Sequence, residues 1–172
     1  MQQQYYAGIG SRETPAEILY QMADLAKELY RNGYSLRSGH ADGADMTFEM
    51  AVIDKDLHMQ IFLPWPGFNN APRYSDRHIS DIPEWAMATV DRYHPSPDRL
   101  SPAARKLMAR NAMQILGPGG FEPVKFVVCW TKDGGPTGGT GQAIRIAKDC
   151  KIPVYNLHNG IALGALRGDF NL

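Results

Sequence analysis

A short apolar run that breaks into glycines and then resumes at helical spacing recurs along this chain, and few architectures accommodate that rhythm. Tyr5 to Ile9 leads into Gly8, Gly10 and Ser11. Thr14, Pro15 and Glu17 then have the spacing of a helix cap, a first-turn proline and a capping-box glutamate. Ile18, Leu19, Met22, Leu25, Ala26 and Leu29 follow at helical spacing until Gly33 ends the run. The pattern returns at Tyr34 to Arg37 before SGHADGAD, at Met59 to Leu63 before a long excursion, and at Val124 to Trp130 before GGPTGGTG. A last strand is expected at Ile152 to Leu157, after a helix over Gln142 to Asp149. Alternation of this kind predicts an α/β fold, a Rossmann-like parallel sheet of about five strands with helices on both faces.

Residues 1–172 suit a single domain, interrupted by an insertion or lid at about residues 65–100. That stretch is rich in Pro, Asp, Arg and aromatics, and it offers one short helix near Pro83 to Tyr93. Ser101 and Pro102 open a further helix that runs to about Leu116. With 18 basic against 18 acidic side chains, the chain has no general positive field for nucleic acid or anionic lipid. Any nucleic-acid contact needs a local patch, and Arg73, Arg77, Arg92 and Arg99 in the excursion are the candidates. No segment has the length of apolar residues that spans a bilayer, so a cytoplasmic protein with no membrane contact is expected. The two cysteines, Cys129 and Cys150, do not suggest a disulfide framework. No CxxC or HxxxH spacing occurs, so no metal site is expected; no cofactor is expected either.

In a doubly wound sheet the ligand crevice lies at the carboxyl ends of the strands, and every glycine cluster here falls at that edge. Gly8, Gly10, Ser11 and Arg12 combine close backbone approach with a hydroxyl and a charge. GGPTGGTG supplies five glycines and two threonines before a helix, with Gly138, Gly139, Thr140, Gly141 and Gln142 nearest its start. Phosphate recognition uses such loops, because a side chain at the turn would screen the backbone donors. Tight turns alone would also explain the glycines. The sequence matches neither a Walker A loop nor the GxGxxG dinucleotide fingerprint.

The second turn carries Ser38, Gly39, Asp42, Gly43 and Asp45. Its carboxylates can accept ribose hydroxyls or act as a general base, or they can cap the helix that follows. Asp42 and Asp45 are therefore the candidate catalytic residues. Arg110 and Asn111 sit in an otherwise apolar helical stretch, where a charge needs either a phosphate or an acidic partner.

Taken together, GIGSRETP, SGHADGAD, the Arg110-Asn111 pair and TGGTGQA resemble the SLOG superfamily, the Rossmann-like group that includes DprA and the LOG phosphoribohydrolases. The resemblance spans nearly the whole chain outside residues 65–100. It implies a nucleotide-type pocket formed by the Gly8 to Arg12 loop, the Ser38 to Asp45 turn and the Thr137 to Gln142 loop. LOG enzymes end their glycine motif in a catalytic glutamate, and Arg145 stands at that position here. Loss of that carboxylate favours binding over turnover.

The expected function is binding of a small nucleotide-derived ligand, such as an ADP-ribose-like or cyclic nucleotide signal, by a sensor or sequestering protein of the kind found in bacterial immunity. Trp65, Phe68, Tyr74, Trp85 and Tyr93 would supply an aromatic wall over the base, or instead a satellite core or an interface. The alternatives are an N-glycosidic hydrolase of a nucleotide and a DprA-like single-stranded DNA binder, the latter not favoured by the charge balance. A homodimer or higher homo-oligomer is compatible with the apolar helix faces.

Overall fold

The computed structural model describes residues 2–172. β1 (Gln4–Gly8) is followed by α1 (Ala16–Arg31), β2 (Tyr34–Ser38), α2 (Ala44–Ala51), the single turn α3 (Lys55–His58) and β3 (Met59–Phe62). The chain continues through β4 (His78–Ile79), α4 (Glu84–Tyr93), α5 (Pro102–Leu116), β5 (Val127–Cys129), α6 (Thr140–Asp149), β6 (Val154–Asn156) and α7 (Ala162–Phe170). The strands form one parallel sheet in the order β4-β3-β2-β1-β5-β6. The expected Rossmann-like α/β fold is present, with six strands in place of about five.

The extra strand is β4, a two-residue segment inside the 65–100 excursion. It pairs with β3 through His78 and Ile79, and α4 packs against α5 and α6. A strand of that length leaves no periodicity to read. The apolar runs at Val124 to Trp130 and Ile152 to Leu157 form only three-residue strands. Val124 hydrogen-bonds instead to the carbonyl of Ile115, just past which α5 ends.

Strand side chains alternate between two cores, as the period of a pleated strand requires. Tyr6, Leu36, Ile61 and Val128 face the layer of α1, α2 and α7. Ala7, Phe62, Val127 and Cys129 face the layer of α4, α5 and α6. Cys129 and Cys150 are both free, and burial pushes the Cys129 thiol up to about 12.

Helix punctuation follows expectation at one site and not at another. Ser101 Oγ accepts from the Ala104 amide at 3.1 Å and caps α5. Thr14 does not cap α1; its hydroxyl donates to the Ser11 carbonyl at 2.6 Å, and Pro15 takes the cap position. The hydroxyl is used to close the turn that shapes the first glycine loop.

Gly8 marks where β1 meets the core. A Cβ there would lie 2.6 Å from Phe48 Cγ and 2.8 Å from Leu36 Cδ1, both fully buried side chains. Gly8→Ala is expected to lose about 1–3 kcal/mol of stability, the usual cost of overpacking a tight core. Urea unfolding measures this, and an unchanged midpoint would mean that Phe48 yields without strain.

Candidate functional site

The chain after β1 passes to one face of the sheet and the chain after β5 to the other, so a crevice opens between these two strand ends. A cavity of about 540 Å³ occupies it. Gly10, Ser11, Arg12 and Glu13 form one wall, and Thr131, Lys132 and the Thr137 to Thr140 loop form the opposite one. Asp45 and Ala41 come from the second turn, and α5 contributes Leu107, Met108, Arg110, Asn111 and Gln114.

The α5 residues hold these loops in register. The Arg110 guanidinium is buried; it donates through Nη1 to the Gly39 carbonyl at 2.6 Å and the Phe62 carbonyl at 3.2 Å. Its Nε donates to Asn111 Oδ1 at 3.0 Å, and Asn111 Nδ2 donates to the Gly139 carbonyl at 2.8 Å. The pair therefore links the ends of β2 and β3 to the loop that opens α6. Burial pulls the Arg110 guanidinium below its ordinary range, while the charge of Asp45 acts in the opposite direction.

Nine of the residues singled out in the sequence share the cavity: Gly10, Ser11, Arg12, Asp45, Arg110, Asn111, Gly138, Gly139 and Thr140. The others, Asp42 excepted, lie behind it. Gly8 packs on Phe48, and Ser38 is buried with its hydroxyl donating to the Gly8 carbonyl at 2.6 Å. Gly39 lies under Arg110 and Gln114. Gly43, at φ +84°, takes a left-handed conformation against the backbone of Ser11 and Arg12, which brings the first two loops into contact. Gly141 backs onto the Pro136 carbonyl.

Gln142 is also buried. Its amide reaches the Thr89 carbonyl at 3.3 Å and its oxygen accepts from Arg145 at 2.7 Å. Arg145 in turn donates to the Pro136 carbonyl at 3.1 Å and so braces the loop from outside the cavity.

The two candidate carboxylates separate. Asp42 is exposed, accepts from Asn69 Nδ2 at 3.0 Å, and lines a smaller hollow of about 290 Å³ with Arg12, Trp65, Phe68 and Asn69. Asp45 is 4% exposed and accepts from the Ala41 amide at 3.3 Å. Burial pushes its carboxyl up to about 6, against the pull of Arg110 and the Ala41 and Gly10 amides. A buried acid titrating near neutrality in a cleft is suited to holding a ribose hydroxyl or exchanging a proton.

Of the aromatic residues in the excursion, Trp65 and Phe68 adjoin Arg12. Trp85 and Tyr93 pack on the α4–α6 core, and Tyr74 is 98% exposed. Arg77 and Arg92 form ion pairs with Asp56 and Asp149.

Several lining residues were not among the expected ligand contacts. Leu107 and Gln114 stand three residues before Arg110 and four after it, on one face of α5. Their helical spacing from the Arg-Asn pair is the signal that finds them. Thr131 and Lys132 stand two and three residues past β5, and their position just beyond a strand end identifies them.

Because folding raises the Asp45 pKa above its unfolded value, the native state binds the proton more tightly, and this group lowers stability as pH rises from about 4 to about 6. Asp45→Asn should remove that term, for a relative gain of up to about 3 kcal/mol above pH 6 compared with pH 4. Urea unfolding of both proteins across pH 4–8 tests this, and a constant difference between them would refute the shifted carboxyl.

No family model and no curated protein matches the sequence. Among solved structures, that of DNA processing protein A from Helicobacter pylori, described for its unique single-stranded DNA binding mode, matches with a TM-score of 0.58 at 16% identity. The match covers 88% of this chain and 63% of that one, so the chain spans less than two thirds of that protein. Among the described residues, no helix is long and apolar enough to cross a membrane. The likeness is one of fold: this chain shares a Rossmann-like α/β architecture with that protein.

Proposed function

We propose that the chain is a SLOG-type protein that binds a small nucleotide-derived ligand in the cavity between β1 and β5. The observation that carries this reading is the convergence of two glycine loops and the N-terminus of α6 on one concave site with Arg12 and Lys132 beside it. Helix N-termini and glycine loops present backbone N–H groups to phosphate oxygens. A volume of about 540 Å³ lies in the range of small-molecule sites. Asp45 suits a ribose hydroxyl, and Leu107 with Met108 offers an apolar surface for a base.

The neighbouring hollow of Trp65, Phe68, Asn69 and Asp42 shares Arg12 with the main cavity. A ligand with two nucleoside-sized parts joined by phosphate, such as ADP-ribose or a cyclic dinucleotide, matches that pair with Arg12 at the junction.

A second reading, single-stranded DNA binding, draws on the DNA processing protein A likeness. The same two hollows would then hold successive nucleotides. The balanced charge of 18 against 18 gives it little electrostatic support.

Thermal shift and calorimetry with AMP, ADP-ribose, cyclic dinucleotides and short single-stranded DNA, followed by chromatography of each mixture, test these readings. Binding of intact nucleotide is expected, with Arg12→Gln and Lys132→Gln each weakening it roughly tenfold, as loss of one charge-assisted contact does. Preference for DNA with steep salt dependence would favour the second reading. Released base or ribose phosphate would identify an N-glycosidic hydrolase with Asp45 as its acid or base. No binding by any of them would overturn the proposal.

A further inference from the structure

Away from the cavity, three segments distant in sequence bring two imidazoles and a carboxylate together. His40 lies in the turn after β2, Glu49 in α2, and His78 in β4. Their side chains are 11%, 5% and 5% exposed. His40 Nδ1 is 2.7 Å from Glu49 Oε2, and His78 Nε2 is 3.7 Å from Glu49 Oε1. One ligand atom from each residue lies within 4.8 Å of the others.

We propose that His40, Glu49 and His78 form a site for a divalent transition metal of the Zn2+ class, with His40 Nδ1, His78 Nε2 and the Glu49 carboxylate as ligands and a fourth position left to water. Two neutral imidazoles and a carboxylate are a donor set that suits such an ion. A tetrahedral ion with bonds of about 2.0–2.2 Å holds its ligand atoms roughly 3.3 Å apart. Measured to the single oxygen Glu49 Oε1, His40 Nδ1 stands at 3.0 Å and His78 Nε2 at 3.7 Å, on either side of that value.

His40 is hydrogen-bonded directly to Glu49, whereas His78 approaches the same carboxylate only at ion-pair distance. At 3.7 Å its Nε2 stands beyond a hydrogen bond from Glu49, yet it faces the carboxylate. Its Nδ1 is meanwhile within 3.0 Å of Ser75 Oγ. A ligating imidazole has this arrangement, with the second ring nitrogen fixed by an outer partner and the first directed at the ion. His40 also adopts a left-handed backbone conformation, φ +61°, and its carbonyl accepts from Asn69 Nδ2 at 2.9 Å. Non-glycine residues keep such a conformation only where the surroundings fix it, and these positions cluster at functional sites.

The ion would staple β4, which has only two residues of sheet pairing, to α2 and to the turn that contributes Ala41 and Asp45 to the cavity. The test uses the full chain, stripped with a chelator and titrated with ZnCl2. One tightly bound ion per chain is expected, removable by EDTA, together with a higher melting temperature, since an ion that binds only the native state stabilises it by mass action. Glu49→Gln keeps the shape and hydrogen-bonding capacity of the side chain but should weaken binding at least tenfold. His78→Gln should do the same.

In case these variants fold poorly, NMR of histidine-labelled wild-type protein provides an independent readout. Two of the five imidazoles should shift in step with the first equivalent of Zn2+. The same two should shift in His58→Gln, His94→Gln and His158→Gln. A wild-type chain that takes up no Zn2+, undiminished affinity in Glu49→Gln, or shifts confined to His58, His94 or His158 would overturn the site.

Discussion

A guanidinium cannot be buried unless its N–H groups find oxygen, and the site depends on how Arg110 meets that demand. Its partners are carbonyls at the carboxyl ends of β2 and β3, where a sheet has acceptors left over once its ladder stops. Asn111 completes the connection by taking one Arg110 donor and passing its own amide to Gly139. Loops that glycine would otherwise leave loose are thereby referred to one rigid helix. Precision in a binding site built on loops comes from this kind of support.

The same neighbourhood keeps opposed charges in a balance that neither side dominates. Asp45 and Arg110 are both buried and near enough to influence each other, yet they are not joined in an ion pair, and each is satisfied chiefly by backbone groups. Burial therefore weakens the ionised form of both. Arg12 and Lys132 are exposed at the same cavity, while the buried pair shapes its floor.

Much of this was legible in the sequence, and the gaps have identifiable causes. The long helices α1 and α5 and the glycine turns at Gly10 and Gly138 follow from local patterning, which acts over a few residues. The loops meet because the strand order reverses at β1, and that rule is also available without coordinates. What the sequence withheld depended on distant partners. Gly39 and Gln142 read as ligand contacts because their loops are glycine-rich, but packing against Arg110, Thr89 and Arg145 turns them inward. β4 is too short to carry a period. His40, Glu49 and His78 are separated by nine and then 29 residues, a spacing that matches no local metal motif, so only the fold brings them together.

The sheet narrows from five-residue strands at its centre to two residues at β4 and three at β6. Open edges are where a foreign strand can add itself, and the length of exposed ladder determines how firmly it is held. Edges this short offer a second chain almost no template. Self-association through edge-to-edge pairing is discouraged by the outline of the sheet itself.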